Sequence, residues 1–219
     1  MLNNYILILA ILFTTFSFAQ NQEDFDNPFE KQSMYLETTL GLSFHNQTLA
    51  RINNQVPFDY SLGNSLKFNL TPKFHYAVVD NLFALGQIGF GYQEFRVTEN
   101  HSKAKATNYI AGAGIKYYFW KIHPKLYLNA ETGLQFQYYH SKEPNYLDKT
   151  ISQSLMKSYL DIGISLFVKE NLLFSLVFKD IISYHSRLPN FDGQEDWEIN
   201  NVFKSLFRYP HFSVAFRMD

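Results

Sequence analysis

The sequence predicts an all-β fold, an eight-stranded antiparallel up-and-down transmembrane β-barrel. Eight segments alternate apolar and polar residues with a period of two, as strands with one oily and one wet face do. The links between those segments alternate short and long. The wet faces are thin in charge, and charged residues make up only 18% of the chain, against roughly 25% in a soluble domain.

The first stretch stands apart from the barrel. An apolar run from Tyr5 to Phe13 leads to small residues at Ser17 and Ala19, which predicts an export signal over 1–19 cut before Gln20. The run is shorter than the roughly 20 residues a membrane helix needs. Residues 20–33, QNQEDFDNPFEKQS, read as a periplasmic lead-in, and the barrel is expected over 34–218.

The eight segments follow in order. MYLETTLGLSF (34–44) sets Leu36, Leu40, Leu42 and Phe44 against Glu37, Thr39 and Ser43. LKFNLTPKFHYAV (66–78) opposes Leu66, Phe68, Phe74 and Tyr76 to Lys67, Asn69, Lys73 and His75. LFALGQIGFGYQ (82–93) is noisier, with Ile88, Phe90 and Tyr92 on its better apolar face. NYIAGAGIKYYFW (108–120) carries Tyr109, Ile115, Tyr117 and Phe119 opposite Asn108 and Lys116. LYLNAETGLQFQYYH (126–140) is the most regular, with Leu128, Leu134, Phe136 and Tyr138 on one face and Asn129, Glu131, Gln135 and Gln137 on the other. MKSYLDIGISLFV (156–168), LLFSLVFK (172–179) and PHFSVAFRM (210–218) complete the set. No segment shows a sustained 3.6-residue period.

The links give the topology. Short turns are expected at 79–81, 121–125 and 169–171, and long loops at 45–65, 94–107, 140–155 and 180–209. Strict alternation puts all short turns at one end, the asymmetry of bacterial outer-membrane barrels. A soluble barrel would turn its oily face inward, with a charged exterior. The wet faces here are instead rich in Gly, Ser, Asn and Gln, which suits a crowded lumen. Aromatic residues gather at the strand ends, Tyr117, Tyr118, Phe119 and Trp120 at one and Tyr138 and Tyr139 at the other, as interfacial girdles do. On this reading the apolar stripe faces lipid, Leu128 lies near the bilayer midplane, and Gln135 faces the lumen.

With these segments and turns the chain resembles the small eight-stranded outer-membrane barrels of the OmpX and OmpA-transmembrane-domain kind. The resemblance covers about residues 34–218 and is one of architecture, not of a diagnostic motif. It implies a bacterial outer-membrane location with both termini periplasmic, a monomeric barrel, assembly by the barrel-assembly machinery, and contact with outer-membrane lipids and lipopolysaccharide.

Three sets of residues could carry function. In the proposed lumen, Glu37, Glu131 and Asp161 face Lys67, Lys73, Lys116, Lys157 and Lys179. Such charges must interlock, since an unpaired buried charge is costly. They read first as a structural polar plug and second as a narrow gated conductance, with the lysine surplus favouring anions. The second set is Asp180, His185 and Ser186 near the outer end of the seventh segment, the residue types of a nucleophile, base and orienting acid. Adjacent strand residues face opposite sides, which works against His185 and Ser186 acting together. The third is the acidic loop with Asp192, Glu195, Asp196 and Glu198 around Trp197, which reads as a solvated surface loop or as a contact site for an outer-membrane protein partner, an acidic loop also being able to hold a divalent cation.

A net charge of -1 gives no electrostatic reason to expect nucleic acid, and zero cysteines exclude disulfides, thiolate metal sites and a thiol nucleophile. No cofactor or metal is expected. The function expected is a non-enzymatic structural, adhesion or assembly-accessory role, with a lipid A-modifying enzyme or a narrow channel as alternatives.

Overall fold

A computed structural model describes residues 28–46, 62–97, 103–142, 150–188, 195–199 and 211–218. The expected signal over 1–19, the lead-in as far as residue 27 and Asp192 lie outside them. The strands are β1 (Met34–Asn46), β2 (Leu62–Val79), β3 (Leu82–Val97), β4 (Lys103–His123), β5 (Leu126–Lys142), β6 (Thr150–Lys169), β7 (Leu172–Leu188), β8 (Glu195–Ile199) and β9 (His211–Met218). Each of β1 to β6 pairs antiparallel with its successor. β9 lies between β7 and β1 and closes the barrel, with Leu172 opposite Phe216 and Met34 opposite Met218. β8 pairs with β7 beyond β9, so the eighth stave is built in two pieces.

The barrel therefore has eight staves, as the sequence predicts, but its strands outrun the alternating segments. β4 has 21 residues and β6 has 20. The ladder is made by backbone groups, so it continues past the apolar stripe into polar sequence. The expected loops shorten accordingly: β3 runs to Val97 and β7 to Leu188. Glu195, Asp196, Trp197 and Glu198, expected in a loop, belong to β8, where Trp197 stands opposite Tyr184 in the ladder. The short turns fall at Asp80–Asn81, Pro124–Lys125 and Glu170–Asn171. Asn81 takes a φ of 65°, the left-handed conformation that asparagine tolerates in tight turns. Both Met34 and Met218 lie at this turn end.

Alternation decides what faces out. In β5, Leu134, Phe136 and Tyr138 are exposed while Tyr127, Asn129, Glu131, Gln135 and Gln137 are buried. The other staves follow, with Leu36, Leu40, Phe74, Ile88, Ile115, Phe174, Phe212 and Phe216 all outside. An exterior this apolar is a lipid-facing surface. Tyr109 and Tyr138 pair at the loop-end edge of the band, and Tyr117, Phe119 and Trp120 mark the turn-end edge. The eleven residues of β5 from Leu128 to Tyr138, tilted about 40°, span roughly 25 Å, the height of an outer-membrane apolar belt.

Two expectations are corrected by this geometry. Tyr118 is not in the girdle: it falls on the inward parity of β4 and is buried. Leu128 pairs with Trp120 in the turn-end girdle. The bilayer midplane lies instead near Leu134, which is 57% exposed and stands opposite Ala113, midway between the two girdles.

Candidate functional site

The inside of the barrel is built in layers. At the turn end each stave contributes one buried apolar residue: Tyr35, Ala77, Phe83, Tyr118, Tyr127, Phe167, Leu173 and Ala215. The ring does not close around empty space. Residues 28–33, ahead of β1, fold back across the mouth and place Phe29 at its centre, wholly buried. Phe29 stacks on Tyr118 with ring centroids 3.7 Å apart and meets Phe83 and Tyr127 edge-on at 5.8 and 5.0 Å. Backbone bonds tie the segment to the end of β2 and its turn, from Gln32 N–H to the Ala77 carbonyl and from Asn81 N–H to the Phe29 carbonyl, each 2.9 Å.

Directly above lies the charged layer. Glu37 accepts from Lys116 Nζ at 2.7 Å and from Thr39 Oγ1 at 3.2 Å. His75 Nε2 stands 3.3 Å from Glu37 Oε2. Lys73 Nζ donates to Glu131, which also accepts from the Tyr159 hydroxyl at 3.0 Å. Tyr159 in turn accepts from Gln87 Nε2 at 2.7 Å. Glu37, Lys73 and Lys116 are each about 1% exposed. The opposite wall carries short neutral groups, Asn129 donating to Ser165 at 2.7 Å and Ser165 bonded to Ser175 at 2.7 Å. Small residues on β6 and β7 leave room for the long side chains of β1, β2 and β4, the large-against-small packing of a narrow barrel. The recess between the two layers, bounded by Tyr35, Glu37, His75, Phe83, Tyr118 and Ala215, has no room for a water molecule.

Nearer the loop end the wall is irregular. Three residues of β7, Lys179 to Ile181, stand where β6 has only Asp161. Asp180 takes a φ of 58° in this bulge, and its N–H donates to Asp161 Oδ1 at 2.7 Å, replacing a lost ladder bond. Its carboxylate accepts from Lys157 at 2.6 Å. Beyond it an amide chain lines β5, with Tyr139 donating to Gln137 at 2.7 Å and Gln137 to Gln135 at 2.8 Å.

The structure thus brings Glu37, Lys73, Lys116 and Glu131 into one layer and Lys157, Asp161 and Asp180 into another. Lys67 and Lys179 are half-buried. Asp180, His185 and Ser186 all lie on β7. The Asp180 carboxylate is bonded to Lys157, and His185 Nε2 lies 3.2 Å from Ser183 Oγ, its neighbour on the same face of β7. Ser186 is the next residue along the strand, on the other parity. Among the described residues no group of three or more acidic, histidine or cysteine side chains could hold a metal ion.

Sequence reasoning missed the apolar layer and Phe29. A signal was present: Tyr35, Phe83, Tyr127 and Leu173 are each the second residue of a strand that starts at the turn end, large and apolar on a face that is otherwise wet.

No family model and no curated protein matches the sequence. Among solved structures the chain is similar to outer membrane protein W of E. coli, with 12% identity over 86% of this chain and 99% of that one and a TM-score of 0.48. It is similar to the outer membrane protein OprG from Pseudomonas aeruginosa, with 11% identity over 88% and 99% and a TM-score of 0.48. A third is Ail, the attachment invasion locus protein of Yersinia pestis, with 13% identity over 86% and 99% and a TM-score of 0.44. On its own closed ladder and apolar outer wall, the chain has the architecture of the small eight-stranded outer-membrane β-barrels.

Proposed function

We propose that this chain is an integral bacterial outer-membrane barrel whose role is non-enzymatic, acting as a structural or assembly-accessory protein through its outer surfaces and not through its lumen. The observation that supports this reading is the packed turn end of the interior: an apolar layer with Phe29 at its centre lies against a layer of interlocked ion pairs, and the recess between Tyr118 and Glu37 has no room for a water molecule. A conduit needs a continuous polar path, and this stack interrupts it. The lipid-modifying alternative needs a nucleophile and base side by side at the lipid face, whereas His185 is bonded to the buried Ser183. Lipopolysaccharide and other outer-membrane lipids are the surroundings this exterior fits, with both termini on the periplasmic side and the barrel-assembly machinery as the route in.

The test combines a planar bilayer with native purification. The barrel is expected to give no discrete conductance steps, and its expression is expected to leave lipid A acyl chains unchanged. A stoichiometric protein partner retained in mild detergent would support the accessory role. Steps altered by Lys116→Glu would overturn the reading in favour of a channel, and acyl-chain loss abolished by His185→Ala in favour of an enzyme.

A further inference from the structure

We propose that Pro28–Ser33 is a hinged strap that opens and closes the turn-end mouth of the lumen, with Gln32 as the hinge and Phe29 as the latch. The strap is an addition to the barrel and not a part of its wall, because the ladder already closes from Met34 opposite Met218 onward. Its backbone is anchored on one side of the mouth. Gln32 N–H donates to the Ala77 carbonyl, Ala77 N–H to the Ser33 carbonyl and Asn81 N–H to the Phe29 carbonyl, each at 2.9 Å, and Lys31 N–H donates to Asp80 Oδ1 at 2.8 Å. These four bonds go to the end of β2 and the turn that follows it, and the Tyr35 hydroxyl of neighbouring β1 donates to the Pro28 carbonyl at 2.6 Å. The strap reaches the far side, β4, β5 and β6, through the Phe29 ring against Tyr118, Tyr127 and Phe167. One side chain thus spans the mouth.

The hinge carries an independent sign of two states. Gln32 has a φ of 73°, a left-handed conformation that a residue with a Cβ adopts at a cost. It sits where the strap leaves β1, so bringing Phe29 into the ring requires that conformation and releasing Phe29 relieves it. Docking is therefore a contest in which burial of one aromatic ring and the strap's own hydrogen bonds, which water replaces at small net cost on opening, stand against strain in one residue. Such a balance gives a local opening well below the free energy of unfolding the barrel. Opening would bare the apolar ring as far as the Glu37–Lys116 layer, which stays shut because none of its bonds involves the strap. The mouth is then a vestibule that opens to one side of the membrane while the barrel as a whole remains sealed. This goes beyond the role proposed above and holds whether or not the barrel has a partner.

The chain has no cysteine, so a single engineered thiol reports without background. Ala215→Cys places one in the apolar ring behind Phe29, where Ala215 is 2% exposed. The refolded barrel in detergent is treated with a small charged methanethiosulfonate, its fold checked by heat-modifiable migration. With the strap intact, labelling is expected to be slow and limited by opening. Adding Phe29→Ala is expected to speed it at least about tenfold, and adding Gln32→Gly to slow it about two- to fivefold, since glycine takes the hinge conformation without strain. Rapid labelling of the parent, or equal rates with and without Phe29, would overturn the proposal. If Phe29→Ala does not fold, Gln32→Gly decides: a rate unchanged or raised in that variant removes the hinge.

Discussion

The two layers at the turn end of the lumen are neighbours, yet they are held together by opposite means. The turn-end layer is aromatic and aliphatic, and its contacts are non-directional. The layer above it is charged, and each group depends on one or two named partners: Lys116 on Glu37, and Lys73 on Glu131. Both are almost wholly buried. The comparison teaches that burial alone does not set how a site responds to change. An apolar layer loses contact area when trimmed, while a charged layer is left with an uncompensated charge.

The largest expected effect follows from that asymmetry. Glu37→Ala strips Lys116 of its carboxylate in a space without water and is expected to destabilise the barrel by about 3–5 kcal/mol. Replacing both partners, Glu37→Leu with Lys116→Met, is expected to cost no more than about 1 kcal/mol, because no charge is left behind. Urea unfolding in lipid vesicles measures both. Equal losses in the single and double variants would mean that the layer is held by packing, and the contrast with the apolar ring would disappear.

Next comes the apolar layer itself. Phe29→Ala removes a ring that five aromatic residues touch, at an expected cost of about 3 kcal/mol, the lower end for a buried phenylalanine because the mouth is close to solvent. The same unfolding assay reads it. A loss under about 0.5 kcal/mol would show that the ring packs as well without its centre.

These two layers were not equally legible in the sequence. Glu37, Lys73, Lys116 and Glu131 stand out because a charge on a strand in a membrane protein has to face inward, and alternation alone then puts all four in the lumen. Their pairing was not legible, since it depends on stagger across four strands, which no single segment reveals. Tyr118 and Phe29 were misplaced or missed for a different reason. An aromatic residue at a strand end is equally at home in an interfacial girdle or in a capped mouth, and only the inward parity of Tyr118 separates the two. Phe29 lies before the first alternating segment, where periodicity has nothing to say. The extra length of the strands was hidden because the ladder beyond the membrane needs no apolar pattern. β8 was hidden as well, being five residues that, among the described residues, pair with β7 alone.

The outer wall sharpens the comparison by supplying a third environment. Leu134→Arg puts a charge into lipid at the midplane, with an expected cost of about 2–4 kcal/mol, whereas Leu128→Arg beside Trp120 lies at the interface, with an expected cost of about 0–1 kcal/mol. Folding yields into vesicles rank the two. If Leu128→Arg were the worse, the belt would have to be moved along the strands toward the turns, and the mouth closed by Phe29 would lie within the membrane instead of at its edge.

The smallest effect comes from the neutral side of the charged layer. Ser175 and Ser165 share one hydrogen bond of 2.7 Å, and Ser165 keeps a second partner in Asn129. Ser175→Ala therefore leaves Ser165 satisfied and is expected to cost about 1 kcal/mol in the same urea assay. It occupies the same layer as Glu37 and is similarly buried, so depth and solvent exclusion are matched between the two variants. What differs is whether a charge is abandoned. A gap of at least about 2 kcal/mol between Ser175→Ala and Glu37→Ala would assign the sensitivity of the layer to its ion pairs. A gap near zero would assign it to the tightness of the narrow barrel, where any lost atom on either wall opens the same void.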